Sequence, residues 1–280
     1  MEPVRKTVWY IESHFAEPVS LDDVASVAGL SRFHLSRTFA QFTGRSVTAY
    51  LRARRPTEAA KMLAESNSAI VDVALACGYG SHEAFTRAFR DQFGVTPESV
   101  RKTRSLETLA LMEPFIMPDI KPYPLARPAI KKAGPFLLAG LREFRTFDER
   151  AGIPGQWQRF GPHIGATPGE ISGTAYGACF QPANGEEGFD YVTGVGMTSL
   201  DDIPERLSGA RIEKHRFAVF PHNDHVSTIG ATCNAAFNDW IPASGEKLHE
   251  GPLFLLEVYG PNFNPATGRG GIDVWLPLKG

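Results

Sequence analysis

Two groups of residues in this sequence could do chemistry. The first is Glu257, in the run "FLLEVYG" at 254–260. Neighbours along a strand alternate between faces, so Glu257 shares a face with Leu255 and Tyr259. A carboxylate buried among such neighbours is costly unless a cation joins it, and aromatic rings beside it add to the hold on positive charge. If the strand lies at a sheet edge, Glu257 simply faces solvent. The second group is polar and basic. Arg32, His34, Ser36, Arg37 and Gln41 fall on one helical face, and His82, Glu83, Thr86, Arg87 and Arg90 fall on another. Side chains of these types hydrogen-bond to phosphates and to base edges in the major groove. A third pair, His222 and His225 in "HNDH", has no cysteine or carboxylate at metal-ligand spacing. It reads as a strand-to-helix corner, and no metal or other cofactor is expected. There is no nucleophile elbow, phosphate loop or dinucleotide fingerprint.

The elements that carry the basic faces are written twice. Ser20 can cap a helix whose first turn holds Asp22 and Asp23, and whose apolar stripe is Leu21, Val24, Ala25 and Ala28. Gly29 supplies the turn, and Ser31 caps a second helix that buries Leu35, Phe39 and Phe42. Some fifty residues on, Val73 and Ala74 match Val24 and Ala25. Gly78 matches Gly29, Ser81 matches Ser31, and Phe85, Arg87, Phe89 and Gly94 match Leu35, Arg37, Phe39 and Gly44. Ser68 is the expected opener of the second supporting helix. Between the copies, "SVTAYLRARRPTEAAKML" reads as one helix of ~27 Å. Such a strut can hold two recognition helices near the ~34 Å repeat of DNA. Pro56 within it predicts a kink or break near Arg52 to Arg55.

The motifs "SLDDVASVAGLSRFHLSRTF", "YLRARR" followed by "EAAKML", and "AIVDVALACGYGSHEAFTRAFRDQFGVTPESVR" resemble the DNA-binding domain of the AraC/XylS family of bacterial transcription regulators, its MarA, SoxS and Rob branch in particular. The resemblance implies base-reading roles for Phe33, Ser36 and Arg37 on the first recognition helix. On the second it implies them for His82, Glu83, Thr86 and Arg87, with Arg32 and Arg90 touching the backbone. Pro56 departs from the aliphatic residue usual at that place.

The chain's 280 residues are enough for two domains, and 42% apolar content is enough to build their cores. Residues 1–105 carry 14 Lys and Arg against 11 Asp and Glu, and residues 106–280 carry 15 against 20, so the halves suit different partners. Cys77, Cys179 and Cys233 are odd in number and scattered, which suits free thiols in a cytoplasm. No apolar run reaches membrane-spanning length and the first residues hold no signal-peptide core. Residues 106–120 are proline-punctuated and read as a linker between domains 1–105 and 121–280.

In the second domain the run "AIKKAGPFLLAGLREFRTF" reads as strand, turn and strand, "DERAGIPGQWQRFGPHI" as an interrupted helix, and "TAYGACFQP" with "FDYVTGVGM" as a hairpin. The types then recur: "RIEKHRFAVFPHN" is a strand, a helix capped by Asp224 follows, and "PLFLLEVYGP" and "IDVWLPL" are strands. The fold class is therefore an all-α domain of two helix-turn-helix units joined by a long helix, then an α+β domain of two β-α-β-β units. The aromatic set Trp157, Phe160, Tyr176, Phe180, Tyr191, Trp240 and Trp275 is core by default, with some members free to line a pocket. "FAVFPHND", "PLFLLEVYGP" and "IDVWLPL" resemble the GyrI-like effector-binding domain. That resemblance places a ligand cleft between the two units, with Glu257 as its central acid and Tyr259 and Trp275 as lining residues. It implies a non-enzymatic regulator that binds double-stranded promoter DNA, works with RNA polymerase and senses a small amphipathic molecule, cations included. It leaves one enzymatic alternative, a hydrolase using Glu257 with a tyrosine. No membrane partner is implied.

Overall fold

The computed structural model describes residues 2–116, 123–147 and 152–280, and the chain divides into two units, Met1–Pro118 and Asp119–Gly280. The end of the expected linker (117–120) and the start of the expected helix (148–151) lie outside the described residues.

The first unit is helical: α1 (Glu2–His14), α2 (Leu21–Ala28), α3 (Arg32–Thr43), α4 (Val47–Glu65), α5 (Ile70–Ala76), α6 (His82–Phe93) and α7 (Pro97–Thr103). The repeat read from the sequence governs its local structure. Ser20 and Asp23 form a reciprocal capping box, and Ser31 and Ser81 accept from the N–H groups of His34 and Ala84. Gly44 and Gly94 close the two recognition helices in the left-handed conformation. Gly78 has φ +79°, and a Cβ there would stand 2.6 Å from the Ala16 carbonyl oxygen, so no larger residue fits. Ser68 does not cap α5. Ala69 holds that place without a side-chain bond.

Each half has its own core. Val4, Ile11, Val24, Leu35, Phe39 and Tyr50 form the first, and Ala59, Leu63, Val73, Phe85, Phe89 and Val100 the second. The strut α4 feeds both. The break expected near Arg52 to Arg55 does not occur: α4 is helical from Val47 to Glu65, and Pro56 is buried inside it. A mid-helix proline costs about 3 kcal/mol, and the two residues before Pro56 tie the strut to other parts of the unit. Arg54, 2% exposed, donates from Nε and Nη2 to the Glu12 carboxylate at 2.8 and 2.7 Å, from Nη2 to Glu58 at 2.8 Å, and from Nη1 to the Met112 carbonyl at 2.6 Å. Arg55 donates to the carbonyls of Phe15 and Glu17. Residues 106–116, read as linker, are packed: Leu106, Leu109 and Leu111 lie on the second core, Met112 and Phe115 on the first.

The second unit contains β1 (Ala129–Ala133), β2 (Phe136–Arg145), α8 (Ile153–Phe160), β3 (Glu170–Phe180), β4 (Phe189–Met197), β5 (Ser208–Ile212), β6 (His215–His222), α9 (Ile229–Ala235), a π-helical turn at Ala236–Trp240, α10 (Ile241–Ser244), β7 (Leu253–Tyr259) and β8 (Ile272–Leu278). Each half is thus β-β-α-β-β rather than β-α-β-β. The run "RIEKHRFAVFPHN" holds two strands, divided at Glu213 and Lys214. Asp224 is not a helix cap but accepts from the Tyr123 hydroxyl.

All strand pairs are antiparallel, in the order β1-β6-β8-β7-β3-β4-β2-β5. The first strand of each half pairs with the other half. In a flat sheet β1 and β2 would lie ~29 Å apart, yet only Gly134 and Pro135 join them, and two residues likewise join β5 to β6. The sheet must therefore roll until its ends meet. Phe136 on β2 and Trp275 on β8 touch inside the roll, at 6.1 Å between centroids. On the outer face α8 packs over β2 and β4, and α9 over β6 and β8. The middle strands β7 and β3 are left between the two helices. Among the described residues no helix is long and apolar enough to cross a membrane.

Candidate functional site

Strands β7 and β3 lie between those covered by α8 and by α9, and Glu257 stands on β7 with its side chain on the helix-bearing face. It is 7% exposed. Its Oε2 accepts from the Tyr191 hydroxyl at 2.6 Å and the Tyr259 hydroxyl at 3.0 Å. Oε1 carries no hydrogen bond among the described residues. Strand register explains the grouping: Glu257 pairs with Gly177 on β3, and Cys179, two residues along, pairs with Tyr191 on β4. A Cβ on Gly177 would come 2.3 Å from the Tyr191 hydroxyl oxygen and 2.5 Å from Oε2, so glycine is what lets them meet. From α8, the Trp157 indole donates to the Tyr191 hydroxyl at 3.1 Å, and its ring packs edge-on against Tyr259 at 4.8 Å. Phe263 also packs edge-on against Tyr259, at 5.0 Å.

The electrostatics follow from this enclosure. Burial pushes the Glu257 pKa above the ordinary carboxylate value, and the two tyrosine hydrogen bonds only partly oppose it. Burial, and then the neighbouring carboxylate, push Tyr191 and Tyr259 well above the usual phenol value. No Lys or Arg pairs with Glu257 among the described residues. A buried carboxylate with one unengaged oxygen, two hydroxyl donors and a rim of rings is suited to hold a cation or to keep a proton.

Of the expected lining residues, Tyr259 stands beside Glu257 and Trp275 lies on the opposite face of the sheet. Trp275 pairs with Leu256, whose side chain points to the face opposite Glu257, and it packs inside the roll with Phe136 and Phe217. Tyr191 and Trp157, known from the sequence only as members of an aromatic set, are brought in by topology. The two nitrogens of His222 face the Thr232 hydroxyl and the His225 carbonyl, as befits a strand-to-helix corner.

The recognition helices differ from one another. On α6, Glu83, Arg87 and Arg90 are exposed and His82 and Thr86 half-buried. The Thr86 hydroxyl has no partner among the described residues. Bonds from its own backbone N–H and from Ser81 lower the Glu83 pKa, which ties that carboxylate to the helix start. On α3, Arg32 is exposed and ion-paired with Asp22 at 3.2 Å, and Phe33 is half-buried. Ser36 and Arg37 are 2% and 6% exposed, against the expectation of an open reading face. Ser36 lies ~60° from Phe39 around the helix and so flanks the core stripe. Arg37 sits one turn after His34. Burial first, and the Arg37 charge second, lower the His34 pKa to about 3.

These two units match two known families. A GyrI-like small molecule binding domain covers residues 127–279, more than half of the chain, and a helix-turn-helix domain covers 24–103. The chain belongs to the GyrI-like family and carries an AraC-type helix-turn-helix domain ahead of that module. It is 25% identical to the transcriptional regulator Rob of Salmonella typhimurium over 84% of this chain and 85% of that one. To the right origin-binding protein of Escherichia coli it is 37% identical over 42% of this chain, and there it spans only 43% of the relative's length. The crystal structure of an AraC-type transcriptional regulator from Chromobacterium violaceum is similar over 37% of this chain and 93% of that one, with 33% identity and a TM-score of 0.36.

Proposed function

We propose that this chain is a sequence-specific DNA-binding transcriptional regulator whose GyrI-like domain senses a small amphipathic cation in the cleft above Glu257. The observation that carries the ligand reading is a buried carboxylate that, among the described residues, is bonded only by neutral hydroxyls, with one oxygen unengaged and aromatic rings beside it. A cation entering there replaces lost hydration with charge pairing and ring contacts. The DNA reading rests on the doubled helix-turn-helix and on the names of the similar proteins, the transcriptional regulator Rob and the right origin-binding protein. Glu83, Thr86, Arg87 and Arg90 would read or grip one groove segment, with His82 beside them. Arg32, Phe33, Ser36 and Arg37 would meet the next, once Ser36 and Arg37 are uncovered. Promoter DNA and RNA polymerase are then the macromolecular partners, and the cytoplasm the place. The ligand acts by binding one conformation better than another.

The test is calorimetric titration with benzyltrimethylammonium and with its neutral carbon isostere, neopentylbenzene. Binding of the cation alone, lost in Glu257→Gln, supports the reading, and equal binding of both compounds overturns it. The hydrolase alternative draws on the same Glu257–tyrosine pairing, and hydrolysis of a p-nitrophenyl ester abolished by Glu257→Gln would select it.

A further inference from the structure

We infer that residues 106–116 belong to the DNA-reading unit, where they set the spacing between its two helix-turn-helix halves, with Thr57 as the positioning residue; the inference rests on the DNA-binding reading above. This segment crosses from the second core to the first, and residues 112–115 tie it to α4. Met112 N–H donates to the Thr57 hydroxyl at 3.0 Å. The Met112 carbonyl accepts from Arg54 at 2.6 Å. Phe115 N–H donates to the Tyr50 hydroxyl at 2.9 Å, and that hydroxyl donates to Glu12 on α1 at 2.7 Å. Lys61 and Glu113 add an ion pair at 2.8 Å.

Thr57 is also the attachment of the second recognition helix. Its hydroxyl donates to the Ala53 carbonyl at 3.0 Å. Gln92 on α6 donates from Nε2 to that same carbonyl at 3.0 Å and to the Thr57 hydroxyl at 3.2 Å. So one hydroxyl joins the strap, the strut and α6, while Tyr50 and Arg54 join the strap to α1. All of these bonds fall within about two turns of Pro56, where α4 lacks the N–H that would hold the Arg52 carbonyl. The strut is bound from outside where it is weakest from inside. Each half of the strut is ~14 Å long. A 10° bend at its middle would move its end by about 2.5 Å, close to the ~3.4 Å rise of one base pair. Without the strap and Gln92, α4 would be free to bend there, and the two recognition helices would not keep one register on DNA.

The experiment uses the full chain. A duplex selected by the wild type is rebuilt with its two half-sites one base pair closer, unchanged, and one base pair further apart. Affinities are measured by fluorescence anisotropy for wild type, Thr57→Val and Tyr50→Phe, with helix content checked by circular dichroism. Thr57→Val keeps the volume and removes three hydrogen bonds. The wild type should prefer its own spacing by about tenfold, and Thr57→Val should level the three affinities to within about threefold of one another while an isolated half-site binds as before. Tyr50→Phe, which frees only Phe115 N–H and Glu12 and leaves the core volume intact, should level them partly, and it decides the question if Thr57→Val does not fold. A uniform loss of affinity at all spacings, or an unchanged preference in a folded variant, overturns the positioning role. Failure of the wild type to select any duplex would instead overturn the DNA reading on which it stands.

Discussion

Replacing Glu257 with glutamine should make the second unit more stable and its ligand binding worse. The glutamine side chain would occupy the same volume, and its amide oxygen can still accept from Tyr191 and Tyr259. What disappears is a buried charge whose pKa burial holds above the usual value. Each unit of such a rise is worth ~1.4 kcal/mol. The native carboxyl binds its proton more readily than the unfolded one. Wild-type stability should therefore fall as pH rises from 4.5 through the raised native value, and the variant should not show that fall. Above that window Glu257→Gln should melt higher, with ~2–4 °C for each kcal/mol gained in a domain of this size. For a cationic ligand the lost pairing costs ~2–5 kcal/mol, a rise in Kd from ~30-fold to several thousandfold. Thermal denaturation across pH 4 to 8 and calorimetric titration measure both quantities. A variant less stable than wild type at pH 8, or one that binds the cation unchanged, would refute the picture of an uncompensated buried carboxylate.

Three further outcomes follow from the same geometry. Gly177→Ala would drive a methyl into the Tyr191–Glu257 hydrogen bond; it should cost ~1–3 kcal/mol by chemical denaturation and abolish cation binding while leaving DNA binding intact. Arg54→Met would take the buried guanidinium from half-buried Glu12, while Glu58 keeps Lys61, and should cost ~1–3 kcal/mol, read as the denaturation midpoint of the first unit. In wild type, burial works against the Glu12 charge, but hydrogen bonds from Arg54 and Tyr50 outweigh it and lower the pKa, so Glu12 contributes stability above pH 4.5 that is lost on acidification; Arg54→Met should reduce that loss. Cys77 is fully buried with its pKa pushed up to about 11, chiefly by burial, so the native protein should leave it unlabelled by a thiol reagent that reacts at once in denaturant.

Local chemistry was legible in the sequence and long-range register was not. Ser20, Ser31 and Ser81, and the glycines at 29, 44, 78 and 94, announce the helices because caps and left-handed turns are decided within a few residues. Strand alternation put Glu257 and Tyr259 on one face correctly. It could not say that Trp275 pairs with Leu256 and so faces the other way, nor that Tyr191 and Trp157 come from two other elements to the same carboxylate. Glu213 and Lys214 divide two strands with no glycine or proline to mark the turn, so β5 and β6 read as one. Pro56 does not break the strut as its sequence position suggests: its penalty is local, whereas Arg54, Arg55 and Gln92 are anchored by groups 35 to 58 residues away in sequence. The burial of Arg37 had no sequence signal.

The most direct test of the central claim is a fluorescence-anisotropy selection from a pool of random duplexes at two salt concentrations, with wild type, Arg87→Ala and Arg37→Ala. Wild type should enrich one sequence, with affinity falling steeply as salt rises. Arg87→Ala should relax base preference at one position by about 1–3 kcal/mol, and Arg37→Ala should relax it in the other half-site. Binding by wild type that enriches no sequence, and that neither substitution changes, would contradict that claim.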